Sequence, residues 1–330
     1  MITILYACND SYIKQTIVSM ISVLKCNVQV KFYLVGDNLS QESMEQLYSI
    51  MENYGQTIHI FDIKNILPDF QFNSCDRHPR TVYAKLFVES VVSESKLLYL
   101  DSDTVVISSL ESLFERDMSQ ELVAGVLMPY SSRIKERVGS EAGKPYVCDG
   151  IVLFNMELWK TMGKSSECAK YICAYAGNPP MLSEGTLNHV CIGKIGILEP
   201  KYNLMPAMLM YRPAQMRQLF QPDFYYTDAE SIFQAKFSPV IIHFMNELYN
   251  RPWFEPCDHP WKNFYRDIHE TIFGNSFYAR ENISLNVRLT KTLFKILPFS
   301  FFAWLYHVRH FFDRNKRQDL IKNESKSVYL

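Results

Sequence analysis

The stretch Lys96-Leu97-Leu98-Tyr99-Leu100-Asp101-Ser102-Asp103-Thr104-Val105-Val106 decides how this chain folds. Leu97 to Leu100 form a short apolar run, as in a parallel strand buried on both faces. The run stops at two carboxylates two residues apart, so Asp101 and Asp103 fall just past the strand's carboxyl end. Open α/β sheets bind their ligands there. Two adjacent hard oxygen donors attract a divalent cation, Mn²⁺ or Mg²⁺. Such ions are often shared between carboxylates and the phosphate oxygens of a substrate. Taken alone, Asp-x-Asp also fits a solvated acidic turn.

Upstream of this stretch, Thr3 to Ala7, Val30 to Val35 and Ile58 to Phe61 read as strands. Ile13, Ile17, Met20, Ile21 and Leu24 have helical spacing, and Ser40 caps a helix from Gln41 to Tyr54. A loop with Pro68 and Pro79 leads to a helix over Val82 to Val92. This β-α-β-α-β-loop-α-β alternation predicts an α/β domain with a doubly wound, mostly parallel sheet flanked by helices. Neither Gly-x-Gly-x-x-Gly nor a Walker loop occurs, so a diphosphate needs a metal instead. Beyond residue 110, Val123 to Met128, Ile151 to Phe154 and Pro239 to Phe244 are expected strands. Leu158 to Tyr175 and Leu187 to Cys191 are expected helices, in a half suited to an acceptor site.

The chain has 330 residues, 48 % of them hydrophobic, enough for one large α/β domain with an appendage. Its formal net charge of −1 gives no basic field for nucleic acid. Met1 to Ala7 runs straight into a strand without a basic and apolar leader, which points to the cytoplasm. The eight cysteines, Cys75 among them, include no Cys-x-x-Cys pair and read as reduced thiols. On that reading the sequon at Asn282-Ile283-Ser284 carries no weight.

The expected division is a catalytic domain over 1–275 and a tail over 276–330. Within 285–317, Leu293, Phe294, Phe299, Phe301, Phe302, Trp304, Phe311 and Phe312 mix with seven cations, Arg288, Lys291, Lys295, Arg309, Arg314, Lys316 and Arg317, against one acid, Asp313. Pro298, His307 and His310 argue against a spanning helix. A basic, aromatic-rich amphipathic segment suits a peripheral anchor on an anionic membrane surface. The alternative is a helix pair packed on the domain.

Further units follow in order: Cys148-Asp149-Gly150-Ile151-Val152-Leu153-Phe154-Asn155 running to Trp159, then Ile241-Ile242-His243-Phe244, then Asn250-Arg251-Pro252-Trp253. Together with the Asp pair they resemble glycosyltransferase family 8, which includes glycogenin and the bacterial lipo-oligosaccharide galactosyltransferases. The resemblance covers about residues 1–262 and implies a GT-A type, Rossmann-like fold. It implies transfer of a hexose, glucose or galactose, from a UDP-sugar to a saccharide or lipid-linked glycan acceptor. Retention of configuration, Mn²⁺ and a role in lipopolysaccharide or other surface glycan synthesis go with it. The tail is similar in kind to the membrane-binding tails of bacterial members, which implies a peripheral place on the inner face of the cytoplasmic membrane.

By the same resemblance Asp101, Asp103 and His243 are the metal ligands. Arg251, where lysine is usual, faces the diphosphate. Ala7 and Asn9 address uracil and Tyr12 stacks on it. Ser102 and Asn246 complete the nucleotide contacts, and Lys85, in Tyr83-Ala84-Lys85, reaches the sugar or phosphate. The family's Asp-Gln-Asp is replaced by Ser183-Glu184-Gly185, with Leu187-Asn188 keeping the frame. The first Asp of that unit normally grips sugar hydroxyls. Asp149 stands where the family has Ser or Ala. Glu184, Asp149 and Arg251 are therefore the catalytic candidates, and Glu184 opens a double-displacement route beside same-face attack. Two other classes remain at this level. One is a non-catalytic sugar-nucleotide or membrane-binding scaffold. The other is a sugar-phosphate nucleotidyltransferase, whose Gly-rich basic loop Asn9-Asp10-Ser11 does not supply.

Overall fold

Nine strands set the frame. They are β1 (Ile2–Asn9), β2 (Val30–Asp37), β3 (Ile58–Asp62), β4 (Lys96–Leu100), β5 (Thr104–Val106), β6 (Val123–Leu127), β7 (Val147–Asn155), β8 (Ile195–Ile197) and β9 (Ile241–His243). The structure, a computed structural model, describes residues 1–69, 80–274, 278–281 and 283–309. Cys75, Pro79, Asn282 and the tail from His310 onward, with Phe311, Phe312, Asp313, Arg314, Lys316 and Arg317, lie outside the described residues.

Seven strands form one sheet in the order β3-β2-β1-β4-β7-β6-β8. β1 pairs in parallel with β2 and β4, β2 with β3, and β6 with β8. β7 runs antiparallel to both β4 and β6. The expected mostly parallel α/β sheet is therefore present, with one reversed strand beside the Asp pair. Alternation along β1 divides the core. Ile4, Tyr6 and Cys8 pack with helix α1 (Ile13–Cys26) on one face, while Leu5 and Ala7 pack with Tyr83, Tyr99 and Trp159 on the other. Ser40 caps helix α2 (Gln41–Asn53) by accepting from Ser43 N at 3.2 Å, as its sequence indicated.

Two local expectations are corrected. The segment before β4 is not an α-helix over Val82 to Val92 but two 3₁₀ turns, Arg80–Leu86 and Val88–Ser90. The first turn buries Thr81, Tyr83, Ala84, Lys85 and Leu86, which is more than one helical stripe, so packing overrides the helical period. The helix expected over Leu158 to Tyr175 is broken into Met156–Thr161 and Lys164–Ala174, because Gly163 adopts φ +62°.

In the tail, the helix Leu285–Ile296 is followed by a helix over 299–309. Phe302 and Ala303 are buried in the main core, and Phe294 meets Tyr211 edge-on at 5.2 Å. The opposite side leaves Leu285, Leu289, Ile296, Phe301 and Trp304 exposed, with the last two stacked at 5.5 Å. One face of this described part of the tail therefore packs on the domain and the other is bare. Among the described residues no helix is long and apolar enough to cross a membrane.

Candidate active site

The Asp pair occupies the turn between β4 and β5. β5 pairs antiparallel with β9, which sets Thr104 opposite His243. That register brings His243 Nε2 to 3.1 Å from Asp103 Oδ1 and 3.8 Å from Asp101 Oδ2. One ligand atom from each residue lies within 4.8 Å of the others. The space they enclose is kept open by Gly150 on β7. A Cβ there would lie 2.5 Å from Asp101 Oδ2 and 2.5 Å from His243 Cε1. Two carboxylates and an imidazole suit Mn²⁺ or a similar ion, so these residues fit a divalent cation.

The surroundings fix each ligand. Asp101 N donates to Gly150 O at 2.8 Å, and Tyr99 Oη donates to Asp101 Oδ1 at 2.7 Å. Thr104 Oγ1 donates to Asp101 O at 2.8 Å, and Thr16 Oγ1 donates to Ser102 Oγ at 2.8 Å. Ser102 thus holds the turn through helix α1. His243 Nδ1 lies 3.2 Å from Asn203 Oδ1. With its Nδ1–H toward that amide oxygen, His243 turns the other ring nitrogen to the aspartates. Burial works to raise the Asp103 carboxyl, but His243 and Arg251 outweigh it and hold it at about 2. Asp101 is raised: burial pushes it up, Lys85 opposes, and the Asp103 charge adds to the rise. Its side chain is 36 % exposed, so water weakens that effect. Close like charges of this kind are relieved by a cation.

Beside the Asp pair, Arg251 donates to Tyr12 Oη at 2.6 Å and to Asp103 Oδ2 at 3.2 Å. Its guanidinium lies over the rings of Tyr12 and Trp253 at 5.9 and 5.4 Å. Its Nε is buried without a hydrogen bond. Ala7 and Asn9 stand at the end of β1, where Asn9 Oδ1 accepts from Ser11 at 2.7 Å. Asp10 accepts from Ser40 N at 2.9 Å and so turns away to support helix α2. Asn246 is exposed and is not drawn into the cluster.

The other wall of the cluster is built from β7, the 3₁₀ turn and the helix Leu182–Val190. Lys85 is almost fully buried and donates to Asp149 Oδ2 at 2.7 Å and to Asp149 O at 2.8 Å. Burial would lower its ammonium, but Asp149 and then Asp101 more than offset this and keep it charged. Ser183 donates to Asp149 Oδ2 at 2.6 Å. Asn188 is buried and clamps the helix to β7, accepting from Val147 N and donating to Val147 O, each at 2.8 Å. This is the physical content of the frame that Leu187-Asn188 kept in the sequence. Glu184 is half-buried beside Tyr130 and Tyr146, with its Oε1 buried and without a hydrogen bond. Burial and then the Asp149 charge raise its carboxyl to about 8, against the pull of Lys85. Gly185, by contrast, leaves no room for any side chain, because its Cβ would fall 1.9 Å from Pro180 O. Gly185→Ala is expected to destabilise the fold by about 1–3 kcal/mol, measured by denaturant unfolding. An unchanged midpoint would show that the helix start yields freely.

Tyr99 and Asn203 are absent from the sequence reading. Tyr99 was within reach of it, since it lies two residues before Asp101 on the same strand face. Asn203 comes from a loop 40 residues from His243 and carries no local signal.

This sheet carries a carboxylate pair at a strand end and a histidine delivered by a late strand, three side chains that fit a divalent cation. Residues 3–257 match glycosyl transferase family 8, and the chain belongs to that family. Glycosyltransferase GlyE of Streptococcus pneumoniae serotype 4 is 26 % identical over 258 residues, which cover 76 % of this chain and 56 % of GlyE. Glycosyltransferase GlyA of the same organism is 22 % identical over 282 residues, covering 83 % of this chain and 36 % of GlyA. This chain thus spans about half or less of these relatives' length. Among solved structures, the galactosyltransferase LgtC in complex with donor and acceptor sugar analogues superposes with a TM-score of 0.67 at 17 % identity, covering 83 % of this chain and 98 % of LgtC. The GlyE crystal structure superposes with a TM-score of 0.59 at 19 % identity, covering 93 % and 63 %. These likenesses show a GT-A-like fold.

Proposed function

We propose that the protein transfers a hexose, glucose or galactose, from a UDP-hexose to a saccharide acceptor with retention of configuration. The observation that carries this is the convergence of Asp101, Asp103 and His243 on one point at the sheet's ligand-binding edge. These three residues would hold Mn²⁺ or Mg²⁺, which supplies Lewis-acid stabilisation of a leaving diphosphate. Arg251, already beside Asp103, is placed to neutralise the same phosphates. Tyr12 offers a ring to uracil, with Ala7 and Asn9 alongside. Ser102 belongs to this reading through the turn it holds, whereas the expected contact from Asn246 has no support in its exposed position.

In the transfer step the bond between the sugar's anomeric carbon and the β-phosphate oxygen breaks, its electron pair staying on that oxygen. The acceptor oxygen forms the new bond on the same face, and its proton passes to the departing phosphate. UDP and the glycoside are the products. Burial and the Asp149 charge raise the Glu184 carboxyl, which disfavours the free carboxylate that double displacement needs. With its proton on, Glu184 supplies a hydrogen-bond donor on the sugar side, beside Asp149 and Lys85.

Release of UDP from a panel of UDP-sugars tests this reading. Turnover of one UDP-hexose, present with Mn²⁺ and absent with chelator, is the expected result. Silence across the panel leaves a non-catalytic scaffold as the better account.

A lipid-linked glycan acceptor, as in lipopolysaccharide or another surface glycan, is the reading that the tail supports. Leu285, Leu289 and Ile296 form an exposed stripe on one helix, flanked by exposed Arg288 and Lys295 and continued by Phe301 and Trp304. It suits peripheral attachment at the cytoplasmic face of the membrane. Because Phe302 is in the core, point changes test this better than truncation. Phe301→Ser with Trp304→Ser should weaken binding to anionic vesicles at least about tenfold with the melting temperature kept. Equal binding by the variant would remove the stripe from any membrane role.

A further inference from the structure

Between the start of helix α1 and the helix Lys262–Phe273 lies a cavity of about 570 Å³. None of Asp101, Asp103, His243, Ala7 and Asn9 lines it, so it stands beside the metal cluster and not in it. Tyr12, Trp253, Phe254, Tyr265 and Phe273 supply its aromatic wall. These rings meet at corners: Tyr12 and Trp253 are inclined at 83°, and Trp253 and Tyr265 at 46°. Two polar atoms of the lining residues, Tyr265 Oη and Gln15 Oε1, are buried without a hydrogen bond among the described residues. Tyr265 as a whole is 1 % exposed. Unpaired polar atoms are costly inside a protein, so in the wall of a cavity they mark where a ligand's polar atoms belong. Rings in excess, with a few convergent polar groups and this volume, are the composition of a small-molecule site.

We infer that this cavity is a saccharide-binding site separate from the metal cluster. It takes a hexose unit of a glycan, with the C–H face of the sugar on the rings and its hydroxyls on Tyr265 Oη and Gln15 Oε1. The choice of a saccharide rests on the transferase reading above and on the lining itself. No carboxylate belongs to the lining, and Lys14 Nζ already lies over the Phe273 ring at 5.6 Å, so a cationic ligand is disfavoured. An anion would be held by that one exposed ammonium, which is weak in water. Burial, and then Lys14, lower the imidazole of His269, so it adds no charge at neutral pH. A flat base needs a slot with parallel walls, whereas a pyranose is thick enough to fill a corner. Its polarised C–H groups suit the negative faces of the rings, and its hydroxyls suit an amide oxygen and a phenol. The two sites share a wall, because the Arg251 guanidinium lies over Tyr12 and Trp253 at 5.9 and 5.4 Å.

Binding of lactose, maltose and cellobiose to the full chain tests this, followed by saturation-transfer NMR and calorimetry without metal or nucleotide, and again with Mn²⁺ and UDP. At least one disaccharide should bind. Tyr265→Phe and Gln15→Leu should each weaken it at least about fivefold, and Phe273→Leu at least about threefold. Tyr265→Phe should keep or raise the melting temperature, because it removes a buried hydroxyl that has no partner. Mn²⁺ with UDP should leave the disaccharide affinity within about threefold, as separate sites require. Failure of every disaccharide to bind overturns the inference, as does equal binding by the parent and all three variants. Displacement of the disaccharide by Mn²⁺ with UDP also overturns it, by making the cavity part of the nucleotide pocket. If Tyr265→Phe does not fold, Gln15→Leu and Phe273→Leu decide. UDP release from the UDP-sugar panel is measured alongside. A parent that turns over a UDP-hexose but fails these tests loses this inference alone. A parent silent with every donor, yet with disaccharide binding that depends on Tyr265, loses the transferase reading alone.

Discussion

Asp103→Ala is expected to abolish metal-dependent UDP binding, weakening it at least about a hundredfold, or about 2.7 kcal/mol. Asp103 is the hub of the cluster, with His243 on one oxygen and Arg251 on the other. Removing it deletes one proposed ligand and leaves an imidazole and a guanidinium facing each other without a counter-charge. The uncompensated Arg251 charge then opposes the cation that the site would hold. Asp101 cannot substitute, because Tyr99 and Lys85 already draw on it and it is the more exposed of the pair. Calorimetry of UDP binding with and without Mn²⁺ measures the effect. Affinity like the parent's would place the metal and the diphosphate elsewhere.

Glu184→Gln is expected to slow transfer at least about tenfold at pH 7, about 1.4 kcal/mol, with UDP affinity within about twofold. On the proposed reading the residue serves the sugar and not the nucleotide. It also carries a pH signature. With its carboxyl near 8 in the fold and near the ordinary glutamate value when unfolded, the folded state holds the extra proton between these limits. Stability therefore falls as pH rises through that window, by at most about 1.4 kcal/mol per pH unit. The glutamine variant lacks this dependence, so it gains on the parent as pH climbs from about 5 to about 8. Transfer by the parent should decline above about pH 8 as the proton leaves, and transfer by the variant should not. Identical rates and parallel stability curves would return Glu184 to a passive place in the wall.

The strand before the Asp pair, the alternation of the first hundred residues and the ordered units at 148, 243 and 251 were legible in the sequence. Each is a local pattern with a mechanism: an apolar run, a period, a spacing. The direction of β7 was not legible, because a run buried on both faces reads the same whichever way its neighbour points. The 3₁₀ turn that carries Lys85 was read as a helix, since burial on several sides imitates a helical stripe. The union of Asp149 with Ser183 is a contact across 34 residues, visible only once Asn188 has fastened the helix to the strand. Asn203 behind His243 is long-range in the same way. The pieces of the site could be found from sequence, whereas their hydrogen-bonded supports required the fold.

The short β5–β9 ribbon has a consequence for how the protein comes to be active. It joins groups 140 residues apart, so its closure is among the costly, non-local steps of folding, and the chain between must be largely in place first. A slip of one residue in that ribbon would present Ile242 or Phe244 to the aspartates in place of His243. The register of this ribbon therefore decides whether His243 stands beside the aspartates at all. Any ion held there favours, by mass action, only those molecules whose ribbon has closed in register.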